Sequence, residues 1–589
     1  MDGIENLGCA CSLGAAPGPE PPPWRRWLRA NRVPLLFALL MLLVLPMRDL
    51  WAPDEPDFAQ CIREMRERGS WLLPYLNGQP YAEKPILFFW LLKGSAILFD
   101  RLTGGLGFSH GIAAWALRLP TVLAAVAFLF AFRRWSARFL QADLGDLAAM
   151  ILVGTPIWLW QSQTIQIDLV FAALLAWSWL CWLGGYLLLR DHARPQQIHE
   201  ARTWFLSAYG ALALAFLAKG PLALVLSSLL LLAFLGWQRD FRALKGMRLG
   251  LGLLGMAVLI LPWYVAAGLK GGPAYAYELL IHQNLMRALQ AWDHLQPPWR
   301  YLEYLAGDFF PWTLLLPSLV FFLARSGARR SPAARFLILA VAVPFLFLSL
   351  AQSKQSKYLL MIYPFLALLM AALLQPLTVE AVGPTRVRRL GGLLALGLAL
   401  PALAFAALTF FGAGGPRLQF QIQPYLGPLR LMTTLFLLGA LSVTARTLAG
   451  EGRFLVRETA LTLGLVFLVM GTWGFRLLDP LKGYNRWTAQ VTPLIQGRNT
   501  YFWQTIRSGV MVYTDHSMPE IRTWTDLEAR MGAEDRLVSM AREWNLNAWG
   551  MTAQTRDRFE VLARMPVGEG EALLLGWKPA PSPATKDTP

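Results

Sequence analysis

Along most of this chain the apolar positions neither alternate with polar ones nor recur as one helical stripe; they run together. Long, nearly uncharged stretches lie at 34–50, 112–132, 146–162, 167–189, 203–219, 220–237, 248–269, 309–324, 335–351, 358–375, 389–411, 429–446 and 457–477. About 20 apolar residues in a helix match the roughly 30 Å of bilayer hydrocarbon, so the pattern predicts a membrane all-α protein with thirteen transmembrane helices. A further apolar stretch, 85–99, would rise only about 22 Å as a helix and is interrupted by Lys93. Beyond residue 477 charges become frequent. Short apolar runs such as Val510-Met511-Val512-Tyr513 and Ala572-Leu573-Leu574-Leu575 read there as strands set between helices. Residues 478–580 thus read as a small α/β domain, and 581–589 as a disordered tail. At the other end, residues 1–33 read as a tail whose first 22 residues, rich in Pro and Gly, lack the means to bury a core.

Composition agrees with the pattern. Hydrophobic residues make up 55% of the 589 and charged residues 15%, against about 45–50% and about 25% in soluble domains. Disorder over most of the length and a single soluble core are both excluded. Four scattered cysteines suggest neither a disulfide framework nor a metal knuckle. The formal charge of +17 is distributed rather than patched. Arg25, Arg26, Arg29 and Arg32 precede the first span, which makes the N-terminus cytoplasmic by the positive-inside rule. If 85–99 does not cross, the other basic loops (Arg133 to Arg138, Arg190 to Arg202, Arg239 to Arg248, Arg325 to Arg335, Arg386 to Arg389, Arg446 to Arg457) all fall on that same side. The 85–99 segment is therefore expected to lie at the outer interface, and the excess charge reports topology rather than nucleic-acid binding.

The outward-facing parts are then 51–111, the turn near 163–168, residues 270–308, the turn 352–357 and everything after 477. Acidic residues are scarce, and three of them, Asp54, Glu55 and Asp57, directly follow the first span. One carboxylate could cap the helix that starts there; three exceed that need. Tyr81-Ala82-Glu83-Lys84-Pro85 follows, with Glu and Lys side by side ahead of the interfacial stretch. Asp168 stands in an otherwise apolar run at a membrane boundary, where an ionisable group is a functional candidate. The long outer loop carries His282-Gln283-Asn284-Leu285-Met286-Arg287, and the turn at 352–357 leads into Lys357-Tyr358. No serine elbow, Walker loop or Gly-rich dinucleotide turn is evident. Cations for a phosphate and carboxylates for proton transfer, all at the outer membrane edge, fit an enzyme acting on a lipid-linked phosphorylated substrate.

At these residues the sequence resembles the polyprenyl-phosphate-dependent glycosyltransferases of the GT-C fold. The branch is the ArnT-like one, that of the aminoarabinose lipid A transferases and the protein O-mannosyltransferases. The resemblance rests on Trp51-Ala52-Pro53-Asp54-Glu55, Arg63-Glu64-Met65, Gly69-Ser70-Trp71, Pro74-Tyr75-Leu76-Asn77-Gly78, Tyr81-Ala82-Glu83-Lys84-Pro85 and Trp90. Supporting stretches are Arg118-Leu119-Pro120, Ala218-Lys219-Gly220-Pro221, His282-Gln283-Asn284 with Arg287, Pro311-Trp312, and Ser356-Lys357-Tyr358 with Tyr363-Pro364. It implies an inverting transferase for hexosyl or pentosyl groups in the bacterial inner membrane, its active site and C-terminal domain periplasmic. Asp54 takes the place of the first-loop general base, Glu55 stands beside it, and Asp168 matches the second acidic position. Lys84, Arg287 and Tyr358 match groups that hold the donor phosphate, and Tyr81 and Asn284 fall at substrate-binding positions. Glu83 and His282 match positions that can hold a divalent metal ion. The implied partners are a polyprenyl (undecaprenyl) monophosphate sugar, a lipid A or other outer-leaflet acceptor, and membrane lipid. The first loop departs from the family: Asp54-Glu55-Pro56-Asp57-Phe58 stands where Asp-Glu-Thr-Arg-Tyr is usual.

Two other classes compete. A transporter or flippase would share the many spans, but few charges lie at span centres and no paired broken helices mark two halves. An inactive scaffold would fit the Asp57 departure. Among enzymes, an acceptor on a protein hydroxyl stands beside the glycolipid.

Overall fold

The computed structural model describes residues 22–104, 112–190, 194–286, 295–378, 383–411, 422–504, 506–532, 534–541, 558–567 and 570–577. The chain divides into two compact units, one of residues 1–44, 83–88 and 121–472 and one of 45–82, 89–120 and 473–589.

The first unit is a helical membrane body. Among the described residues, nine helices are long and apolar enough to cross a bilayer, including Ala114–Phe139, Ile167–Arg190, Pro195–Lys219 and Pro384–Phe410. Two bent pairs, Trp24–Ala30 with Arg32–Val44 and Arg300–Asp308 with Trp312–Arg325, meet the same criterion when each pair is taken together. The other two expected spans are a 17-residue helix, Leu222–Gln238, and a broken one, Ala142–Val153 followed by Pro156–Gln161. The break has a local cause. Pro156 cannot continue the backbone ladder, and the Gly154 carbonyl instead accepts from Trp312 Nε1 at 3.0 Å. Gly154 also leaves room for that ring, since a Cβ there would sit 3.1 Å from Trp312 Cζ2.

Helix Leu249–Tyr277 presents Leu254, Val258, Leu261 and Leu269 outward, the apolar exposure that lipid covers. Part of the expected N-terminal tail is ordered. Pro23–Ala30 is a helix with exposed Trp24, Trp27 and Leu28 among its arginines, the composition of a helix lying in a membrane interface. Trp27 stacks on Phe130 at 6.3 Å.

The second unit contains the residues after the first span and the C-terminal domain. Helix Asp54–Glu67 leads into a two-stranded hairpin, Tyr75–Leu76 with Gln79–Pro80. Its turn residues Asn77 and Gly78 have φ of 51° and 80°, the left-handed pair that suits a tight hairpin. The turn is tied back by buried Glu64, which accepts from the backbone N–H groups of Asn77 at 2.6 Å and Gly78 at 2.9 Å. The 85–99 stretch lies in a 17-residue helix, Leu87–Thr103, which is not among the nine long apolar helices. Lys93 is buried, donating to the carbonyls of Met65 at 2.8 Å and Ser70 at 2.7 Å.

The C-terminal domain is a five-stranded mixed sheet. Its order is Glu520–Ile521, Thr500–Trp503, Arg536–Met540, Gly570–Trp577, Phe559–Val567, the first three parallel and the last two antiparallel to their neighbours. Alternation along each strand divides the core. Phe502, Val538 and Leu574 face Trp487 and Val491 of helix Asn485–Ile495. Trp503, Leu537 and Leu573 face Leu527 of helix Trp524–Arg530. This is the period of two that a sheet covered on both faces requires.

The expected strand at 572–575 is present, but 510–513 is helical, within Ser508–Thr514. Residues 508–512 are all buried, so no polar face marks the helical period, and a short apolar run reads alike as either element. Gly509 permits the packing, because a Cβ there would lie 2.0 Å from Tyr484 Cδ2.

Candidate active site

Helix Asp54–Glu67 begins with Asp54, Glu55 and Asp57 in its first turn, where the positive end of the helix dipole favours carboxylates. Their environments differ. Asp54 and Asp57 are half-buried, whereas Glu55 is only 3% exposed. Two arginines enclose Glu55. Arg48 donates from Nη1 at 2.6 Å and from Nη2 at 2.8 Å. Arg118 donates from Nε at 3.1 Å and from Nη2 at 2.7 Å. The Trp51 N–H adds a fifth bond at 3.0 Å, and Arg118 also bonds the carbonyls of Arg48 and Asp49. Burial by itself would raise the Glu55 pKa; Arg118, then Arg48, and their hydrogen bonds override it and hold the carboxyl well below the usual range. Glu55, expected to be a catalytic partner of Asp54, is thus a fixed anion whose lone pairs are already engaged, which suits it to position its neighbour.

In the membrane body, Asp168 opens helix Ile167–Arg190 and is 4% exposed. Its carboxylate pairs with the Lys219 ammonium. Lys219 closes helix Pro195–Lys219, which stops because Gly220 adopts φ 87° and Pro221 follows. The same ammonium lies 4.3 Å from the centre of the Tyr358 ring, a cation–π distance. Lys357 and Lys84 are also close enough to act electrostatically on Asp168. Three of the expected residues, Asp168, Lys84 and Tyr358, therefore share one neighbourhood with two further lysines. Three ammoniums near one carboxylate leave a local excess of positive charge.

The remaining expected residues are less gathered. Tyr81 is half-buried, its ring 5.9 Å from that of Phe89. Glu83 is exposed and Lys84 half-buried. His282 Nδ1 is 2.9 Å from Glu278 Oε1, which also accepts from Gln283 at 2.7 Å. Asn284 falls in the π-helical turn Glu278–Met286, and Arg287 lies outside the described residues. Among the described residues no three His, Cys, Asp or Glu side chains come together as metal ligands, and no step is derived through a metal.

Sequence reasoning assigned no role to Arg48, Arg118 or Lys219. Arg118 and Lys219 stood in stretches that carried the resemblance, and a basic residue fixed inside an apolar run is a signal of a buried partner. Arg48 gave no such signal, since it looks like one more charge at the end of a span.

Comparisons with known proteins identify the family. Residues 32–270 match the family described as dolichyl-phosphate-mannose-protein mannosyltransferase. The undecaprenyl phosphate-alpha-4-amino-4-deoxy-L-arabinose arabinosyl transferase of Pseudomonas aeruginosa is 31% identical over 419 residues, covering 69% of this chain and 68% of that protein. The chain belongs to the ArnT-like glycosyltransferase family. The correspondingly named transferase of Shewanella sediminis is 27% identical over 79% of this chain and 80% of its own. Crystal structures of ArnT from Cupriavidus metallidurans share the fold. The apo form has a TM-score of 0.73 at 18% identity, covering 94% of this chain and 97% of that one. The form bound to undecaprenyl phosphate has a TM-score of 0.70 at 19% identity, with 94% and 98% covered. This ArnT-like chain is accordingly a multi-span glycosyltransferase of the bacterial inner membrane that uses a lipid-linked sugar donor.

Proposed function

We propose that this enzyme moves a sugar from a polyprenyl monophosphate, of the undecaprenyl type, to an outer-leaflet acceptor such as lipid A, with inversion at the anomeric carbon. The N-terminus is cytoplasmic; the reaction and the C-terminal domain are periplasmic. The observation that carries the reading is the group of Lys84, Lys219, Lys357 and Tyr358 around Asp168. A polyprenyl phosphate sugar is a phosphodiester with one negative charge; once the sugar leaves, the monoester carries up to two. Ammonium groups fixed beforehand by Asp168 and by the Tyr358 ring stabilise that gain of charge more than they stabilise the bound donor, which is the condition for catalysis. Asp168 then acts on Lys219, holding its ammonium in place, and Arg287 joins the phosphate contacts.

The acceptor falls to the first-loop carboxylates. Asp54 orients an acceptor hydroxyl and takes its proton as the hydroxyl oxygen attacks the anomeric carbon and the phosphate departs. An acceptor phosphate oxygen needs no base, and Asp54 would then only position it. Tyr81 and Asn284 contact the sugar or the acceptor. Relatives named as aminoarabinosyl transferases favour lipid A; the mannosyltransferase description of residues 32–270 favours a protein hydroxyl as second reading.

The test is purification in detergent, incubation with radiolabelled undecaprenyl phosphate sugars, and separate extraction of lipid A and protein, beside the Asp54→Asn variant. Label in lipid A that disappears in the variant establishes the reading and names the sugar. Label in protein selects the second reading, and no transfer from any donor returns the transporter and scaffold classes.

A further inference from the structure

The ends of the first and last membrane segments meet across 429 residues of chain, where Arg476 Nη2 lies 3.1 Å from Met47 Sδ. Beside this contact is a cavity of about 590 Å³, within the range of small-ligand sites; of the groups above only Arg48 lines it, and its guanidinium is held by Glu55. Its walls carry Asp49, Asp479, Tyr513, Asn485, Arg476 and Arg486.

The two signs of charge are deployed differently. Asp479 accepts from Trp51 Nε1 at 2.5 Å and from the Asp49 N–H at 3.1 Å. Asp49 accepts from the Tyr513 hydroxyl and, at 2.8 Å, from the Leu50 N–H. Both carboxylates are thus engaged in bracing the cavity wall. The arginines are less committed, Arg476 donating, among the described residues, only to the Met47 sulfur. Both side chains are exposed, and among the described residues neither guanidinium has a carboxylate within ion-pair distance. Arg486 stands next to Asn485 in the first turn of helix Asn485–Ile495.

Arg476 lies at the end of the last apolar run, 457–477, and Arg486 lies beyond it, on the side assigned outward. Trp473, about one turn before Arg476, is 46% exposed, and Leu481 is 43% exposed. Trp is enriched at the membrane–water interface, which is consistent with a place for this end of the span near the headgroups.

We propose that this cavity binds the phosphate-bearing headgroup of an outer-leaflet lipid, with Arg476 and Arg486 donating to the phosphate oxygens and Asn485 to a neighbouring polar group. Guanidinium suits this role because its planar fork meets two phosphate oxygens at once. The proposal rests on the outward placement assigned above. The phosphate comes either from the acceptor itself or from a neighbouring anionic phospholipid.

The experiment uses the full-length enzyme in phosphatidylcholine nanodiscs and the double variant Arg476→Gln/Arg486→Gln, its thermal unfolding compared with the parent. Binding of lipid A, dephosphorylated lipid A and phosphatidylglycerol is measured directly, with transfer kinetics alongside. Loss of about tenfold in lipid A affinity, with a raised acceptor KM, an unchanged donor KM and no effect on the dephosphorylated lipid, assigns the site to the acceptor. Loss of phosphatidylglycerol binding with acceptor KM unchanged assigns it to the neighbouring lipid. Lysine at both positions should restore part of either effect. Equal binding of all three lipids by variant and parent, both folded, overturns the proposal. Because binding is read without turnover, a parent enzyme that transfers no sugar would refute the transferase reading and leave this site still tested.

Discussion

Arg118 Nη2 lies 2.7 Å from Glu55 Oε2, with side chains 0% and 4% exposed. Arg48 closes the same carboxylate from the other side at 2.6 Å, itself 1% exposed. Three buried charges with this many bonds hold one another, and removing Glu55 would leave two buried guanidinium groups without their shared counter-ion. The consequence reaches Asp54, the adjacent residue, whose backbone position follows from this clamp.

Glu55→Gln should therefore act first on the fold. It leaves Arg48 and Arg118 buried beside a neutral amide, and breaking a buried pair in this way costs about 3–5 kcal/mol. Thermal unfolding in detergent should show a clearly lowered midpoint, with transfer falling in step. A variant as stable as the parent but inactive would instead make Glu55 a reacting group and withdraw the positioning role.

The same carboxylate sets a pH dependence. Burial favours the neutral acid, yet Arg118 and Arg48 depress the folded value far below the ordinary 4.5. A depressed acid is protonated first in the unfolded chain, so its contribution to stability is complete above about pH 4.5 and is lost as pH falls toward the folded value. The gap in unfolding midpoint between parent and Glu55→Gln should be constant near neutrality and shrink below about pH 4. A gap that widens on acidification would show that the clamp does not govern this carboxylate.

In the membrane body the pair to test is Asp168 with Lys219. Lys219→Ala leaves a buried carboxylate without its closest counter-charge, so it should lose both stability and transfer. Adding Asp168→Asn removes that charge and should restore much of the stability. Transfer should stay low, by about 10²–10³, because the ammonium proposed to meet the departing phosphate is still missing. Recovery of transfer together with stability would show that Lys219 only served the fold.

These pairs show where sequence reasoning reached and where it stopped. Asp168 was legible because a lone acid in Ile165-Gln166-Ile167-Asp168-Leu169-Val170 stands out at a membrane boundary. Lys219, its partner, lies 51 residues away at the end of an apolar run, where a lysine also serves as a membrane anchor. Glu55 was legible as one of three carboxylates. Its burial was not, since it depends on Arg118, 63 positions on. Apolar runs locate spans because hydrocarbon thickness imposes their length. The same runs conceal breaks such as Gly154-Thr155-Pro156, where the deciding contact is Trp312, 158 residues distant. Resemblance brought Lys84, Asp168 and Tyr358 together before geometry did. It also paired His282 with Glu83 as metal ligands, where the described residues hold no group of three ligating side chains.

Gly509 offers a test in the C-terminal domain. The helix Ser508–Thr514 presses against Tyr484 so closely that a Cβ at 509 would stand 2.0 Å from Cδ2 and 2.5 Å from Cγ of that ring. Tyr484 is 4% exposed and packs with Trp487 and Val510 in one core cluster, so the ring has little room to turn aside. Alanine is the better helix former by about 1 kcal/mol, and on propensity alone Gly509→Ala should stabilise. Overpacking a closed core costs about 1–3 kcal/mol, and at this separation it should win. Limited proteolysis should cut the variant within 478–577 faster than the parent while leaving the membrane body intact. A variant that resists protease better than the parent would mean that helix propensity outweighs the clash and that the Tyr484 ring yields.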